Sequence, residues 1–202
     1  ISAMLAAATR VEAVECAHSL EAEVRELRLI AAHSPPYNRR SKYPDRVVWL
    51  KLTAEAYPRL SVVRALAEDE ATYLGPFSSR RTAELAAAGV YDAVPLRQCT
   101  HKLSTRVRTP ACALAELGRC PAPCEHEITP EEYAVRAAQP FRTATHGDPR
   151  PIVDALMARI DVLSGRQRYE EAAVVRSRLV ALLRATVRMQ RLGAVTRLSE
   201  LV

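Results

Sequence analysis

The chain has 202 residues, a formal net charge of +6, and a hydrophobic content of 49%. This length allows one domain or two small ones, and the composition excludes a wholly disordered chain. No run of residues approaches the roughly 18 consecutive apolar residues of a membrane span, and no signal peptide is recognisable. We therefore expect a cytoplasmic protein without a membrane partner. Because the sequence starts at Ile1 in helix-like sequence, we also expect a fragment of a longer chain.

The basic residues are nearly all arginine. Only Lys42, Lys51 and Lys102 are lysine among the 29 basic residues. Arginine contacts phosphate in a bidentate manner, but the codon usage of a GC-rich genome explains the exchange of lysine for arginine. The net positive charge remains, and it weakly favours an anionic partner such as nucleic acid.

The first half of the chain predicts helices followed by strands. Residues 1–33 are predicted to be helical in two pieces, the second of which carries an apolar stripe at spacings of three and four residues. Residues 46–53 and 59–64 are rich in β-branched residues and predict an antiparallel strand pair. Residues 73–78 are predicted to form a turn, and a short capped helix is expected over residues 80–88.

The second half predicts helices on either side of a polar linker. Thr129, Pro130 and Glu132 form a helix-start pattern in which Thr129 is the cap. Residues 143–149 are polar and predict a linker. Two apolar stripes then follow, separated by a break at Gly165, and they predict a C-terminal helical hairpin.

Four of the five cysteines lie close together in a segment of weak periodicity. They are Cys99, Cys112, Cys120 and Cys124. Four thiolates can hold either an iron–sulfur cluster or a structural zinc ion. Only the last two are close in sequence, and this uneven spacing weakly favours the iron–sulfur cluster. Four separately buried thiols are the alternative.

The helix before residue 34 carries carboxylates beside its apolar stripe. Glu23, Glu26 and Asn38 form a second candidate site, in which a half-buried Glu26 carboxylate could hold a divalent cation. The same charge pattern is typical of a solvated helix edge, and chemistry alone favours that interpretation.

Two basic clusters, within residues 34–51 and 97–119, are candidates for phosphate contacts. The predicted DNA-binding residues are Arg39, Arg40, Lys42, Arg97, Lys102, Arg106 and Arg108.

Several motifs follow one another in the order found in UvrC, the bacterial excision-repair endonuclease, and together they resemble that family. They are Glu26 to Asn38, Tyr43-Pro44, Pro58 to Leu60, Tyr73 to Phe77, Leu96 to Cys99, Cys112, Gly118 to Cys124, Tyr133, and Arg168 to Ala173 with Arg176. The last of these is similar to the UVR motif, the hairpin with which UvrC contacts UvrB.

The resemblance implies functions for the candidate residues. Glu26 would bind magnesium or manganese in a nuclease site closed by Asn38, and this site would make a single-strand incision in damaged DNA. The four cysteines would hold a 4Fe-4S cluster, with zinc as the alternative. A UvrB-like protein would bind the hairpin through Tyr169, Glu170, Glu171, Ala172 and Arg176.

The resemblance also implies an α+β fold with six segments. The fold combines the C-terminal part of a GIY-YIG domain, a small antiparallel strand pair, a loop-rich cysteine cluster and a C-terminal helical hairpin. The segments are residues 1–45 (C-terminal helices of a truncated GIY-YIG nuclease domain), 46–96 (strand pair and short helix), 97–127 (four-cysteine cluster), 128–149 (helix and linker), 150–192 (UVR-like hairpin) and 193–202 (tail).

The sequence departs from the family in ways that leave two hypotheses. The strands that bring the catalytic tyrosine and arginine would precede Ile1, and the family's Lys-Asp-Asp-Lys is replaced by Arg39-Arg40-Ser41-Lys42. The short form resembles Cho-type homologues and the C-terminal part of actinobacterial proteins in which an exonuclease is fused ahead of a UvrC-like part. The chain is either part of an endonuclease or a non-catalytic module that docks DNA and UvrB for an upstream exonuclease. In both cases we expect this chain alone to bind DNA without cutting it.

Overall fold

The structure, a computed structural model, describes residue 6 and residues 8–17, 19–36 and 47–195. It contains two compact units, residues 1–46 and residues 47–202. In the first unit, helix α1 spans Ser19–His33. The first of the two predicted helical pieces is absent from residues 8–16. Val11 and Val14 are exposed there, and a short helix that buries no apolar face is marginal in water.

The second unit is built on a three-stranded antiparallel sheet in the order β2-β1-β3. The strands are β1 (Val48–Leu52), β2 (Leu60–Val63) and β3 (Thr72–Phe77). The predicted pair is present, with Leu50 opposite Val62. The turn predicted over residues 73–78 is wrong, because this segment is β3 and pairs with the other edge of β1. Burial of Leu74 and Phe77 outweighs the local turn signal of its Gly-Pro dipeptide.

Helix α2 (Arg80–Ala93) covers the sheet. Ser79 caps it by accepting a hydrogen bond from the backbone N–H of Thr82. The helix is longer than predicted, since its buried face continues through Val90. Gly89 packs against Arg178 of the C-terminal helix. A Cβ atom at position 89 would lie 3.3 Å from the Cβ of Arg178, so glycine allows the two segments to approach closely.

A long loop follows, and it contains α3 (Ala113–Glu116) and a 3₁₀ turn (Pro123–Glu125). We call residues 97–127 the cysteine loop. After it come α4 (Pro130–Tyr133), a π-helical turn (Ala134–Ala138) and α5 (Gln139–His146). The predicted capping box is present: Glu132 donates its N–H to the Thr129 hydroxyl and accepts the Thr129 N–H. Helix α5 occupies the first part of the predicted linker, and Pro140, which has no N–H to donate, adjoins the π turn.

The chain then forms the helical hairpin of α6 (Arg150–Gly165) and α7 (Tyr169–Val195). Its apolar seam includes Leu156, Leu179 and Leu182, and it continues into the core formed by the sheet and α2. The hairpin is therefore packed onto the rest of the second unit and shares its core. No helix in the described part of the chain is long and apolar enough to cross a membrane.

Candidate functional site

The cysteine loop is held mainly by hydrogen bonds. The backbone N–H of Thr109 donates to the carbonyl of Cys124 at 2.9 Å, and the Nε of Arg108 donates to the carbonyl of Glu125 at 2.8 Å. The Glu125 side chain in turn accepts the backbone N–H of Ala111 at 3.0 Å. These contacts join the segment around Cys112 to the segment around Cys124.

The Cys120–Cys124 segment has an unusual backbone. Ala122 and His126 have positive φ values of 47° and 58°, which residues with a side chain seldom adopt. Both residues flank the 3₁₀ turn that carries Cys124. The loop thus orients Cys124 through a backbone that local propensity does not favour, which is typical of functional sites.

The four cysteine thiols are free, and electrostatic effects connect them. Burial raises the pKa of the Cys120 thiol first, and the nearby Cys99, Cys124 and Cys112 raise that pKa further. Burial also raises the pKa of Cys124, with a smaller contribution from Cys99. Each thiolate would repel the others, so a bound cationic centre would favour their joint ionisation.

Four cysteine thiols are a donor set that suits either an iron–sulfur cluster or a zinc ion. Among the described residues, no group of three or more His, Cys, Asp or Glu side chains is arranged to hold a metal ion. The four thiols are free, and Cys120 lies within electrostatic range of the other three, so they match a four-thiolate centre in donor type and number.

Arg97 lies at the base of the cysteine loop and is fully buried. Its Nε donates to the carbonyl of Tyr57 at 2.7 Å, and its Nη1 donates to the carbonyl and the Sγ of Cys99 at 2.9 and 3.2 Å. The predicted DNA contact therefore does not hold for Arg97, whose guanidinium cannot reach a phosphate in solution. The arginine pattern in the sequence could not distinguish this buried cation from a surface one.

The other basic candidates on this loop are exposed. Lys102, Arg106 and Arg108 all face solvent. Lys102 and Arg106 also line one open groove of about 660 Å³, together with Glu55 from the β1–β2 loop. This groove presents two cations, and a phosphate backbone could contact it.

The candidate nuclease residues lie in the first unit. Glu26 is on α1 and is exposed, as expected for a solvated helix edge. Asn38 and the basic candidates Arg39, Arg40 and Lys42 lie outside the described residues. The structure therefore leaves the predicted cation site as a prediction.

The candidate partner residues lie at the start of α7. Tyr169, Glu170, Glu171 and Arg176 are exposed, and Tyr169 is 64% exposed. Ala172 is buried at 6% exposure, so it packs within the fold and is not part of the outer surface. The four exposed side chains remain candidates for contacts with another protein.

Sequence reasoning missed Asp92, whose side chain is completely buried at the end of α2. Its carboxylate contacts Arg178 at 2.5 Å, Arg119 at 3.4 Å and Arg159 at 3.8 Å. These arginines come from α7, the cysteine loop and α6, so one carboxylate joins the loop to both helices of the hairpin. The only signal in the sequence was a single acidic residue in the last turn of an alanine-rich helix.

Comparison with known proteins gives the family. Residues 47–143 match the family model described as the middle domain of UvrC/Cho excinuclease. The chain is 42% identical, over 98% of its length, to a protein of Mycobacterium tuberculosis named as a bifunctional exonuclease/endonuclease. It is 34% identical, over 92% of its length, to UvrABC system protein C of Nitratidesulfovibrio vulgaris, and 33% identical, over 87%, to that of Thermus thermophilus. No solved structure matches the chain.

The chain covers 30%, 27% and 29% of these three relatives, respectively. The match includes the sheet, α2 and the cysteine loop in one continuous segment. The resemblance seen in the motifs is thus confirmed. The chain is UvrC-like, and its residues 47–143 belong to the UvrC/Cho excinuclease middle-domain family.

Proposed function

We propose that this chain is part of a structure-specific DNA repair endonuclease of the UvrC/Cho type, which makes a single-strand incision in damaged DNA with a divalent cation. The observation that carries the proposal is the similarity to UvrABC system protein C over about nine-tenths of the chain. The similarity to a protein named as a bifunctional exonuclease/endonuclease supports a nuclease in the same way.

In this proposal Glu26 holds magnesium or manganese, and Asn38 completes the site. An exposed carboxylate on a helix is accessible to both the cation and a DNA phosphate. The test is incision of a damaged duplex by the protein expressed from its complete reading frame. Glu26→Ala should abolish incision and leave the circular dichroism spectrum unchanged. Glu23→Ala, which removes an exposed carboxylate from the same helix, is the matched control and should cut normally. Normal incision by Glu26→Ala would refute this role.

The groove lined by Lys102 and Arg106 is proposed as a DNA contact, with Arg108 beside it on the same loop. Each cation that neutralises a phosphate releases counterions, so affinity falls as salt rises. Lys102→Gln and Arg106→Gln should each weaken duplex binding at all sequences and reduce the salt slope by about one. Arg191→Gln, an exposed charge at the end of α7, should leave the affinity unchanged. Equal losses in all three variants would mean that the groove is not the DNA site.

The four cysteines Cys99, Cys112, Cys120 and Cys124 are proposed to hold a 4Fe-4S cluster. When bound, the cluster would cross-link the cysteine loop and supply a one-electron redox centre. The protein's own part is to bring four thiols together and to exclude solvent from the partly buried Cys120. Metal analysis of protein purified without oxygen tests this: about four irons support the cluster, and one zinc would replace it with a structural zinc ion.

A UvrB-like protein is proposed as the partner of the hairpin surface formed by Tyr169, Glu170, Glu171 and Arg176. An exposed aromatic ring beside charged side chains is a common composition for a protein interface. Glu171→Arg should weaken complex formation in size-exclusion chromatography or calorimetry. Glu116→Arg, an equal charge change on the exposed part of the cysteine loop, is the control. No complex with the wild-type chain would leave the hairpin as a structural element only.

A non-catalytic module that docks DNA and UvrB beside an upstream exonuclease is the second candidate. It is supported by the two cations of the open groove and by the exposed side chains at the start of α7, which could bind DNA and a protein without any catalysis. The two candidates differ in one result. If the complete protein incises damaged DNA and Glu26→Ala abolishes the incision, the chain contributes to catalysis; if the variant cuts normally, the chain only docks.

A further inference from the structure

Arg97 connects the hydrophobic core to the cysteine loop. Its side chain is 0% exposed. Its backbone N–H donates to the hydroxyl of Tyr133 at 2.9 Å, and that hydroxyl donates to the carbonyl of Pro58 at 2.9 Å. The Nε of Arg97 is held by the carbonyl of Tyr57. These hydrogen bonds fix one side of Arg97 near the sheet, and the other side of its guanidinium contacts the loop.

The other end of the guanidinium is directed at Cys99. Nη1 donates to the backbone carbonyls of Cys99 and His101, each at 2.9 Å, and lies 3.2 Å from the Cys99 Sγ. This is an N–H···S contact from a charged donor to a thiol that is already one of the four candidate ligands. Among the described residues, no other charged side chain donates a hydrogen bond to one of the four thiols.

The Arg97 guanidinium shares its carboxylate partner with a second arginine. Nη2 lies 3.0 Å from Oε1 of Glu55, within ion-pair distance but without good hydrogen-bond geometry. The same Glu55 carboxylate is also 3.8 Å from the Nε of Arg59, so it is shared between two cations. A buried cation is costly unless an anion balances its charge, and an anionic sulfur at Cys99 would complete that balance.

We propose that Arg97 is a positioning residue of the four-cysteine centre, which orients Cys99 as a ligand and raises the reduction potential of the bound cluster through its N–H···S contact. The inference rests on the iron–sulfur centre proposed above. Reduction adds negative charge to the cluster and its sulfur ligands, and a nearby cation that donates to a ligand sulfur stabilises that charge. Glu55 would act in the opposite direction, because it partly cancels the charge of Arg97.

Because Arg97 and Glu55 carry opposite charges, removal of each charge should shift the reduction potential in opposite directions. The chain would be purified without oxygen and titrated with dithionite, which supplies one electron to each cluster. Mediator dyes would equilibrate the cluster with an electrode, and the visible absorption would be measured as a function of the solution potential. Arg97→Gln should lower the reduction potential, and Glu55→Gln should raise it. Arg97→Lys keeps the charge with a different donor geometry and should give a smaller decrease than Arg97→Gln. Glu116→Gln removes an exposed charge from the same loop and should leave the potential unchanged.

The possible outcomes separate this inference from the proposal beneath it. Shifts of the reduction potential in opposite directions in Arg97→Gln and Glu55→Gln support the inference. Loss of packing alone would not shift the potential in opposite directions in the two variants. If Arg97→Gln does not fold, a raised potential in Glu55→Gln together with a lowered one in Arg97→Lys supports it. If the variants bind iron like the wild type and their reduction potentials are unchanged, the inference is overturned and the proposed cluster is retained. A wild-type chain with zinc, or with no metal, overturns both the inference and the iron–sulfur centre.

Discussion

The hairpin and the cysteine loop are stabilised in different ways. The seam of α6 and α7 is made of buried aliphatic side chains such as Leu156 and Leu182, which continue into the core of the sheet. In the cysteine loop most residues from 104 to 119 are exposed, and the contacts that hold it are hydrogen bonds. Burial of apolar area stabilises the hairpin without any ligand, whereas the loop would gain most from a centre that links its four thiols.

The largest expected effect is a cavity in the hairpin seam. Leu182 is 1% exposed, so Leu182→Ala should lower the free energy of unfolding by about 2–5 kcal/mol. Val180→Ala, at a position 38% exposed on the same helix, should change it by about 0.5 kcal/mol or less. Urea denaturation followed by circular dichroism measures both. Equal effects would mean that the seam does not carry the stability of the hairpin.

The next effect is expected where the two regions meet, at Asp92. Asp92→Asn removes the charge that compensates three arginines, and we expect a loss of about 2–4 kcal/mol because Arg178 is left partly buried without its anion. Hydrogen exchange should become faster both in the hairpin and near Arg119. Asp154→Asn, an exposed carboxylate on α6, is the control. Faster exchange in only one region would show that Asp92 does not couple them.

Tyr133 should have an intermediate effect that depends on pH. Its hydroxyl accepts from Arg97 and donates to Pro58, so Tyr133→Phe should cost about 1–3 kcal/mol. Burial is the main reason that the pKa of Tyr133 is raised above its ordinary value. Because the folded-state pKa is raised, this contribution to stability is fully present below the pKa of an unfolded tyrosine, which is about 10. It is lost as the pH rises from there through the higher folded-state pKa.

The check is the unfolding free energy of wild type and Tyr133→Phe between neutral and alkaline pH. The wild type should lose stability more steeply with rising pH than the variant, since the variant has no phenol to ionise at this position. Tyr169→Phe, at an exposed position, should follow the wild-type curve. Parallel curves for wild type and Tyr133→Phe would contradict the assigned role of the buried hydroxyl.

The smallest effect is expected at the capping box that ends the cysteine loop. Thr129→Ala removes the acceptor for the Glu132 N–H and should cost about 1 kcal/mol. Glu131→Ala, in the same turn but outside the box, should cost less. Thermal unfolding would measure the difference. A larger loss in Glu131→Ala would mean that the helix start is held by other contacts.

Local patterns predicted the elements whose signals are short-range. The strand pair β1–β2, the Thr129–Glu132 capping box and the hairpin follow from residue type and period, and all are present. The third strand was missed because a Gly-Pro dipeptide is a turn signal locally, and only pairing with β1 makes it a strand. Among the site residues, the exposure of Glu26, Lys102 and Arg106 agrees with a surface location, whereas the burial of Arg97 and Ala172 depends on packing that no pattern shows.

The sequence by itself determined the family, the set of four cysteines, and the order of the strand pair, the capped helix and the hairpin, because these are properties of residue identity and spacing. The tertiary structure decided which charges are buried. Arg97 and Asp92 carry ordinary charges in the sequence, and only the packing of distant segments around them places one against the Cys99 thiol and the other among three arginines. The physical reason is that charge burial is a property of long-range contacts, in which Arg97 contacts Tyr57 and Asp92 contacts Arg178 across widely separated parts of the chain.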